Sequence, residues 1–588
     1  MRSATAFRLW ATSLALLCAL LAARMPTAQA ATYTKITGSG STWSSNALDQ
    51  WRRNISANIG MTVNFTANGS SQGREQFRNG VVDFAVSEIP YGLTEGGVRD
   101  APPARGYAYM PIVAGGTAFM YNLSIGGKRV TNLRLSGEVI AKIFTGKITM
   151  WNDGAIAADN PGLTLPARRV VPVVRSDGSG TTAQFTTWMA KEQGALWNDY
   201  CGRTGRSGAC GMTSYYPVLP GSSMIAKSGS LGVSGFVRQP QAEGSITYVE
   251  YSYAIKTGFP VAKMLNLHGY YVEPTASSVA VALTGATINQ DKGSDNYLTQ
   301  ILDGVYRNTD DRTYPLSSYS YMILPTTIGG DQNPMTKDKG LSLGTFANYF
   351  LCDGQQQAEE LGYSPLPKNL VEAGFDQVRR VPGAPTSEIN INKCRNPTFS
   401  SDGTNTLAKN APHPKDCDRK GPTQCSDGTA GAQGQDTAVK PEARGGNGSS
   451  GGSGNGSGSG GGSGNGTGKG SGGGKGTGTG GTGGAGPTSG ATQDSDGDGI
   501  PDAQESAAAT QGGTTIDPDT GQVISADGGT GGGDTSVVAS PVGLASDRFG
   551  LRSALMALSA VLLLGVVVGP PLTARALAAH ARRKGEPV

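Results

Sequence analysis

Of the 89 glycines in this chain of 588 residues, 26 fall between positions 441 and 490. A run of Gly, Ser, Asn and Thr cannot bury enough apolar surface to offset the entropy of ordering it. The folded part is therefore considerably smaller than the whole, and the run itself reads as a flexible coil. Fifty such residues span a root-mean-square distance of roughly 40 Å. Ahead of it, residues 31–394 have a continuous globular composition, long enough for two lobes. Residues 395–442 form a polar, cysteine-containing extension, and 443–551 the tether.

The two ends set an expectation for location. Arg2 and Arg8 precede an apolar run, Leu9 to Ala23, and Ala28-Gln29-Ala30 offers a cleavage pattern, so residues 1–30 read as a secretory signal. Cys18 follows Leu17 inside that run rather than a small residue, which argues against a lipid-modified cysteine. Residues 553–574 carry no charge, enough to cross a hydrocarbon core of about 30 Å. The tail 575–588 holds Arg575, Arg582, Arg583 and Lys584, so it is expected to stay inside. The expectation is a single-pass protein of the cell membrane with its body outside, in a Gram-positive host. No LPxTG wall-sorting motif precedes the final apolar segment. The formal charge of +4 sits in these basic ends, leaving the body near −3, which speaks against a nucleic-acid binder.

Export agrees with the cysteines. Beyond Cys18 there are six, and six allow fifteen pairings. The close spacings pair Cys201 with Cys210 and Cys417 with Cys425, leaving Cys352 for Cys394. None has the CxxC spacing of a redox or zinc site. Within the tether, Asp494, Asp496, Asp498, Asp502 and Glu505 occupy positions 1, 3, 5, 9 and 12 around Gly499, the oxygen-ligand spacing of a calcium loop. It is the candidate Ca²⁺ site; an acidic solubilising loop is the plainer reading. No other cofactor is indicated.

In the body, short β-like runs recur at Met61–Thr66, Asp83–Val86, Ala108–Val113, Thr117–Asn122, Arg169–Val174, Ser245–Tyr253 and Tyr319–Leu324. Helical stretches such as Ser44–Ile55, Ser136–Phe144, Thr182–Glu192 and Ala276–Leu283 alternate with them. The alternation predicts α/β layers on a mostly parallel sheet. Ala108–Tyr121 and Ser245–Ala254 are the expected crossings between lobes.

One segment carries chemistry. After the apolar strand ending at Val174 come Arg175, Asp177 and the turn Gly178-Ser179-Gly180-Thr181, then a helix with Phe185, Trp188 and Met189 on its buried face. A helix start offers unpaired N–H groups and the positive end of the macrodipole, so Ser179, Gly180 and Thr181 form an anion cradle. Arg175 can add a planar cationic fork, braced by Asp177. An ordinary helix cap with a surface arginine is the bland alternative. The same strand, Gly/Ser/Thr turn and helix recur at Thr37–Trp43 and at Asn68–Gly73. Three such turns converging in one cleft would surround a small tetrahedral oxyanion.

These strings resemble the phosphate-binding proteins that serve high-affinity phosphate ABC transporters. The likeness rests on RSDGSGTTAQF at 175–185, GSGST at 38–42, VDFAVSEIP at 82–90, FTGKITMWNDGAIAADNPGLTLP at 144–166, GSITYVEYSYA at 244–254 and LGYSPLPKNLVE at 361–372. It implies a two-lobed, periplasmic-binding-protein-like α/β fold with the ligand cleft between lobes. It also implies phosphate-binding roles for Thr42, Trp43, Ser70, Glu88, Arg175, Ser179, Gly180 and Thr181, with Asp177 in support. Permease subunits of an ABC transporter would be the partners of a monomeric receptor.

Glu88 departs from the family pattern, which has Asp there. That Asp is understood to accept the proton of hydrogen phosphate, whereas fully ionised sulfate leaves the buried carboxylate unsatisfied. Glutamate carries its carboxylate about 1.5 Å farther. The pocket must then retreat to compensate, which is the favoured expectation, or Glu88 must turn away at a cost in selectivity.

The expected activity is capture without catalysis. The chain has three histidines, His268, His413 and His580, no GxxxxGK[ST] motif, and Ser179 lacks the glycine spacing of a GxSxG nucleophile turn. A surface protein using the same fold for phosphate sensing, scavenging or adhesion is the alternative.

Overall fold

The computed structural model describes residues 32–440, apart from 96, 207, 295, 331 and 401, together with two short strands at Thr515–Ile516 and Val523–Ile524. The expected signal (1–30), the calcium loop (494–505), the apolar segment 553–574, the basic tail 575–588 and the tether apart from those strands lie outside the described residues. Among the described residues no helix is long and apolar enough to cross a membrane, and no cluster of His, Cys, Asp or Glu could hold a metal ion. The strand pair near the C-terminus is antiparallel, Thr515 opposite Ile524, and belongs to a unit separate from the body.

The first lobe begins with β1 (Ile36–Gly40), α1 (Ser45–Ile59), β2 (Val63–Thr66), α2 (Ser70–Arg78) and β3 (Phe84–Ser87). β1 lies between β2 and β3 and runs parallel to both, with Gly38 level with Phe65 and Phe84. Parallel neighbours need a crossover, which α1 and α2 supply. β1 ends at Gly40, whose φ of +134° is disfavoured for side-chain-bearing residues, and a Cβ there would lie 2.1 Å from the Val86 carbonyl oxygen. The first turn therefore needs that glycine to bring its hydroxyls against β3.

After a small hairpin, β4 (Thr94–Glu95) and β5 (Val98–Arg99), the chain enters β6 (Tyr107–Tyr121), fifteen residues long and almost wholly buried. The two expected runs at Ala108–Val113 and Thr117–Asn122 are one strand. It joins the lobes: residues 107–116 pair with a later strand of the first lobe, and 117–121 pair with a strand of the second. The expected crossing at Ala108–Tyr121 is therefore found.

The second lobe contains α3 (Gly137–Phe144), β7 (Val171–Arg175), α4 (Gly180–Glu192), β8 (Ile225–Lys227), α5 (Gly229–Val237), β9 (Ser245–Glu250), α6 (Tyr251–Thr257) and β10 (Val261–Leu265). β7 lies parallel between β8 and β9. Its core centres on Phe119, Phe144, Phe185 and Tyr248, whose rings lie 4.9–5.9 Å apart. The run Ser245–Ala254 is not a crossing strand. It stays in the second lobe and breaks at Glu250, whose carboxylate caps α6 by accepting the Ser252 amide at 2.7 Å. The chain returns to the first lobe before β11 (Ser317–Pro325), which lies antiparallel between β3 and β6. α7 (Lys337–Leu351) and α8 (Lys368–Val378) then cover the first sheet. The continuous sheet is parallel at both flanks and antiparallel at its centre, where β6 runs against both β9 and β11 and β11 runs against β3.

The polar extension is part of this body. Arg134 donates to the carbonyls of Cys417 and Thr423, Thr429 bonds Val261, and Lys263 pairs with Asp418 at 2.7 Å. Sequence composition hides this packing because much of it is made by polar contacts, joined by only a few small apolar residues such as Ala408 and Ala411 against Ala280 and Val281. All three cysteine pairs form as the spacings imply: Cys201 with Cys210, Cys352 with Cys394 and Cys417 with Cys425.

Two stability predictions follow from buried charge. Asp418→Asn leaves the Lys263 ammonium largely buried and without its counter-charge, so it should destabilise the body by about 3 kcal/mol. The double variant Lys263→Met/Asp418→Leu should recover most of that loss in thermal denaturation. Glu250 is enclosed at the end of β9, and burial pushes its carboxyl well above its ordinary value of 4.5. The folded state then holds a proton that the unfolded chain releases above pH 4.5, so stability falls as pH rises from there towards the folded value. Glu250→Gln removes that slope, at most about 1.4 kcal/mol per pH unit. Its melting temperature relative to the parent should therefore rise from pH 5 to pH 8.

Candidate functional site

Three helix starts meet where the lobes face each other. From the first lobe come the Ser41-Thr42-Trp43-Ser44 turn before α1 and Ser70 at the start of α2. From the second comes the start of α4 at Ser179, Gly180 and Thr181. The Gly180 amide donates to Ser70 Oγ at 3.1 Å, and the Ser71 amide to the Gly178 carbonyl at 3.0 Å, so two helix starts from different lobes are in direct contact.

Glu88, one residue past β3, lies at the centre. Only 1% of it is exposed. Its Oε1 accepts hydrogen bonds from Ser41 Oγ and Ser320 Oγ, both at 2.7 Å, and its Oε2 accepts from Ser70 Oγ at 2.8 Å. A Cβ placed on Gly180 would stand 1.9 Å from Glu88 Oε2. Position 180 must therefore be glycine for the carboxylate to pack against the start of α4. Glu88 therefore does not turn away: its carboxylate points into the junction, and three serine hydroxyls answer its charge.

The cation stands beside this centre. Arg175, at the end of β7 and 2% exposed, gives Nε to Asp177 Oδ1 at 2.7 Å and Nη2 to Asp177 Oδ2. Its Nη1 donates to Ser230 Oγ at 3.3 Å. Burial opposes both charges, but the guanidinium–carboxylate contact and its hydrogen bonds outweigh it. They hold the Asp177 carboxyl below its ordinary value and the Arg175 guanidinium above its own. Asp177 Oδ1 also accepts the Gly229 amide at 2.9 Å. Asp177 thus fixes the arginine plane and ties it to the start of α5.

Ser230 is a residue that the sequence reading missed. Its hydroxyl lies 2.8 Å from Thr42 Oγ1, and its amide donates to that oxygen at 3.2 Å, closing the cleft on the arginine side. The signal was available: Lys227-Ser228-Gly229-Ser230 is a fourth strand, Gly/Ser turn and helix. Ser41 was also missed, although it adjoins Thr42. Ser320 sits in a buried run of β11 with no local motif, and only the antiparallel pairing of β11 with β3 brings it to Glu88.

The remaining expected residues fall as follows. The Trp43 amide donates to Ser41 Oγ at 3.0 Å, and its ring packs edge-on against Tyr363. Ser179 caps α4 by accepting the Thr182 amide at 3.1 Å. Thr181 Oγ1 is buried and has no hydrogen-bond partner. Asp83, the neighbouring carboxylate, is spent elsewhere: it accepts the Thr37 amide at 2.7 Å and pairs with Lys339 at 3.0 Å.

Beyond the centre, the β4–β5 hairpin clamps the lobes. Glu95 Oε1 accepts the Ser214 amide and its Oε2 the Ser214 hydroxyl, each at 2.6 Å. Gln184 Nε2 donates to the Glu88 carbonyl at 2.9 Å. Neither histidine described in the body contacts Ser179: His268 stacks on Tyr270 and His413 pairs with Asp311.

A two-lobed sheet with helix starts and one braced arginine at the lobe junction defines a solute-binding protein. Consistent with this, the model of the PBP superfamily domain matches residues 25–353, more than half of the chain. The phosphate-binding protein PstS of Xylella fastidiosa (strain Temecula1) is 32% identical over 352 residues, covering 59% of this chain and 85% of that relative. PstS of Haemophilus influenzae is 30% identical over 59% of this chain and 92% of its own length. PstS 3 of Mycobacterium tuberculosis is 31% identical over 56% and 82%. The chain belongs to the PstS family of phosphate-binding proteins within the PBP superfamily.

The clamp makes its own prediction. Glu95→Ala removes the carboxylate acceptor of the second-lobe turn and should cost about 1–2 kcal/mol. Small-angle scattering should show a larger radius of gyration as the lobes separate; an unchanged radius would show that the contacts below the hairpin suffice for closure.

Proposed function

We propose that this protein captures inorganic phosphate outside the cytoplasm and presents it to an ABC-type permease. The observation that carries the reading is the convergence of Thr42, Ser70, Gly180 and Thr181 beside Arg175. Neutral hydroxyl and amide donors from helix starts, with one cation, suit a small dehydrated oxyanion better than a nucleotide or a sugar. The unpaired buried hydroxyl of Thr181 adds to this, since a ligand oxygen would satisfy it. The named activity of the PstS relatives supports phosphate as that anion.

Two lobes joined through one continuous strand can hinge over a ligand, and closure would give a permease a surface to recognise. Three disulfide pairs fit an oxidising compartment, and with it an extracytoplasmic location. Glu88 supplies the acceptor for a ligand-borne proton. Hydrogen phosphate has such a proton and sulfate has none.

Calorimetric titration of the full chain in detergent, stripped of ligand, tests the reading with phosphate and with sulfate at pH 6 and 8. Phosphate should bind with a micromolar or smaller Kd and exceed sulfate by at least about a hundredfold, equivalent to about 2.7 kcal/mol. Arg175→Ala should abolish measurable binding. Equal affinity for the two anions would make the protein a general oxyanion receptor, and no binding of either would end the phosphate reading.

A further inference from the structure

We propose that Tyr253 is a positioning residue of the oxyanion site: from the second lobe, its hydroxyl holds the Thr42 carbonyl of the first lobe and so aims the Thr42–Trp43 turn at the ligand when the lobes close. The proposal rests on the phosphate reading above and concerns how that site is assembled.

Tyr253 lies in α6, and its ring belongs to the buried cluster that contains Val173, Val233 and Val249 of the second lobe. The residue is 1% exposed. A phenol so enclosed is fixed to its own lobe, and burial pushes its pKa above the ordinary value of 10, which keeps it a donor. It donates to the Thr42 carbonyl at 2.5 Å and lies 2.6 Å from Ser45 Oγ, which faces the same carbonyl at 3.0 Å. The next carbonyl is held too: that of Trp43 accepts the Tyr363 hydroxyl at 2.7 Å.

Holding a carbonyl directs the amide that follows it. In a planar trans peptide the C=O and the next N–H point in opposite directions, so fixing the Thr42 carbonyl fixes the Trp43 amide on the far side. That amide points into the junction, donating to Ser41 Oγ at 3.0 Å, and Ser41 donates in turn to Glu88. The Thr42 hydroxyl meets Ser230 Oγ at 2.8 Å, and Ser230 accepts from Arg175 at 3.3 Å. One turn thus connects the carboxylate and the arginine, and Tyr253 holds its backbone.

Because Tyr253 and Thr42 belong to different lobes, their bond exists only when the lobes are together. It therefore acts on the release of bound phosphate and not on its encounter with the protein. A neighbouring contact supplies a control. Asn46 Nδ2 donates to Ser252 Oγ at 2.8 Å across the same boundary, but touches neither carbonyl of the turn.

The test uses the full chain in detergent, stripped of ligand and labelled with ¹⁵N at tryptophan. Phosphate affinity is measured by calorimetry, release by chasing radiolabelled phosphate, and the Trp43 amide by its resonance. In the parent, phosphate should shift that resonance more than the other tryptophan amides. Tyr253→Phe keeps the ring and should weaken phosphate binding at least about fivefold, the scale of one hydrogen bond, through faster release at an unchanged association rate. The Trp43 shift should shrink with it, whereas Asn46→Ala should leave that shift at the parent value. An unchanged affinity in Tyr253→Phe would overturn the proposal. So would a weaker affinity with the Trp43 shift intact, which would make Tyr253 a plain contact between lobes, or loss of the shift in Asn46→Ala as well. A parent that binds phosphate without moving the Trp43 resonance would overturn it whether or not the variant folds, and would leave the phosphate reading standing. A parent that binds no phosphate would overturn that reading, and the proposal with it.

Discussion

A carboxylate taken out of water must be answered by hydrogen bonds or countercharge, and Glu88 imposes that requirement at the centre of this protein. Its three donors come from places far apart in the chain: the turn after β1, the start of α2 and the middle of β11. Each must arrive within hydrogen-bonding distance of one side chain. The glycine at position 40 and the antiparallel placement of β11 against β3 are the means by which they do. The second lobe meets the same point through Gly180, where any larger residue would strike the carboxylate. Closure of the lobes and burial of the charge are thus one structural event.

Arg175 and Asp177 do for the second lobe what the serines do for the first. A buried guanidinium has five donors in a fixed plane, and Asp177 takes two of them, leaving the far edge directed at Ser230. Because Asp177 also accepts the Gly229 amide, the start of α5 is locked to the arginine. The Thr42–Ser230 contact then carries that order back across the cleft. The cation is therefore held in one plane by groups of the protein itself.

Much of this was legible in the sequence because it is local. The strand, Gly/Ser/Thr turn and helix pattern marks Thr42, Ser70 and Ser179–Thr181 whatever the tertiary fold, since unpaired amides at helix starts and tight turns need those residue types within a few positions. Arg175 and Asp177 are two residues apart, so their pairing was readable as well. Ser230 followed the same grammar and was overlooked. Ser320 had no local signal, because its role depends on which strand lies beside β3. The attachment of the extension after residue 394 is hidden in the sequence because it relies largely on carbonyls bonded to distant side chains such as Arg134, with only a few small apolar residues.

By itself, then, the sequence determined the alternation of strands and helices, the Gly/Ser/Thr-rich helix starts, the braced arginine and the cysteine pairs close in the chain. Each depends on residues within about ten positions, where backbone geometry leaves few choices. Tertiary structure alone decided that β6 is one strand shared by two lobes, that β11 delivers Ser320, and that Glu88 points towards Gly180 rather than turning away. Those outcomes turn on distances of an ångström or two between segments tens to hundreds of residues apart. One methylene decides where a carboxylate lands, and only the packed lobes define how much room it has there.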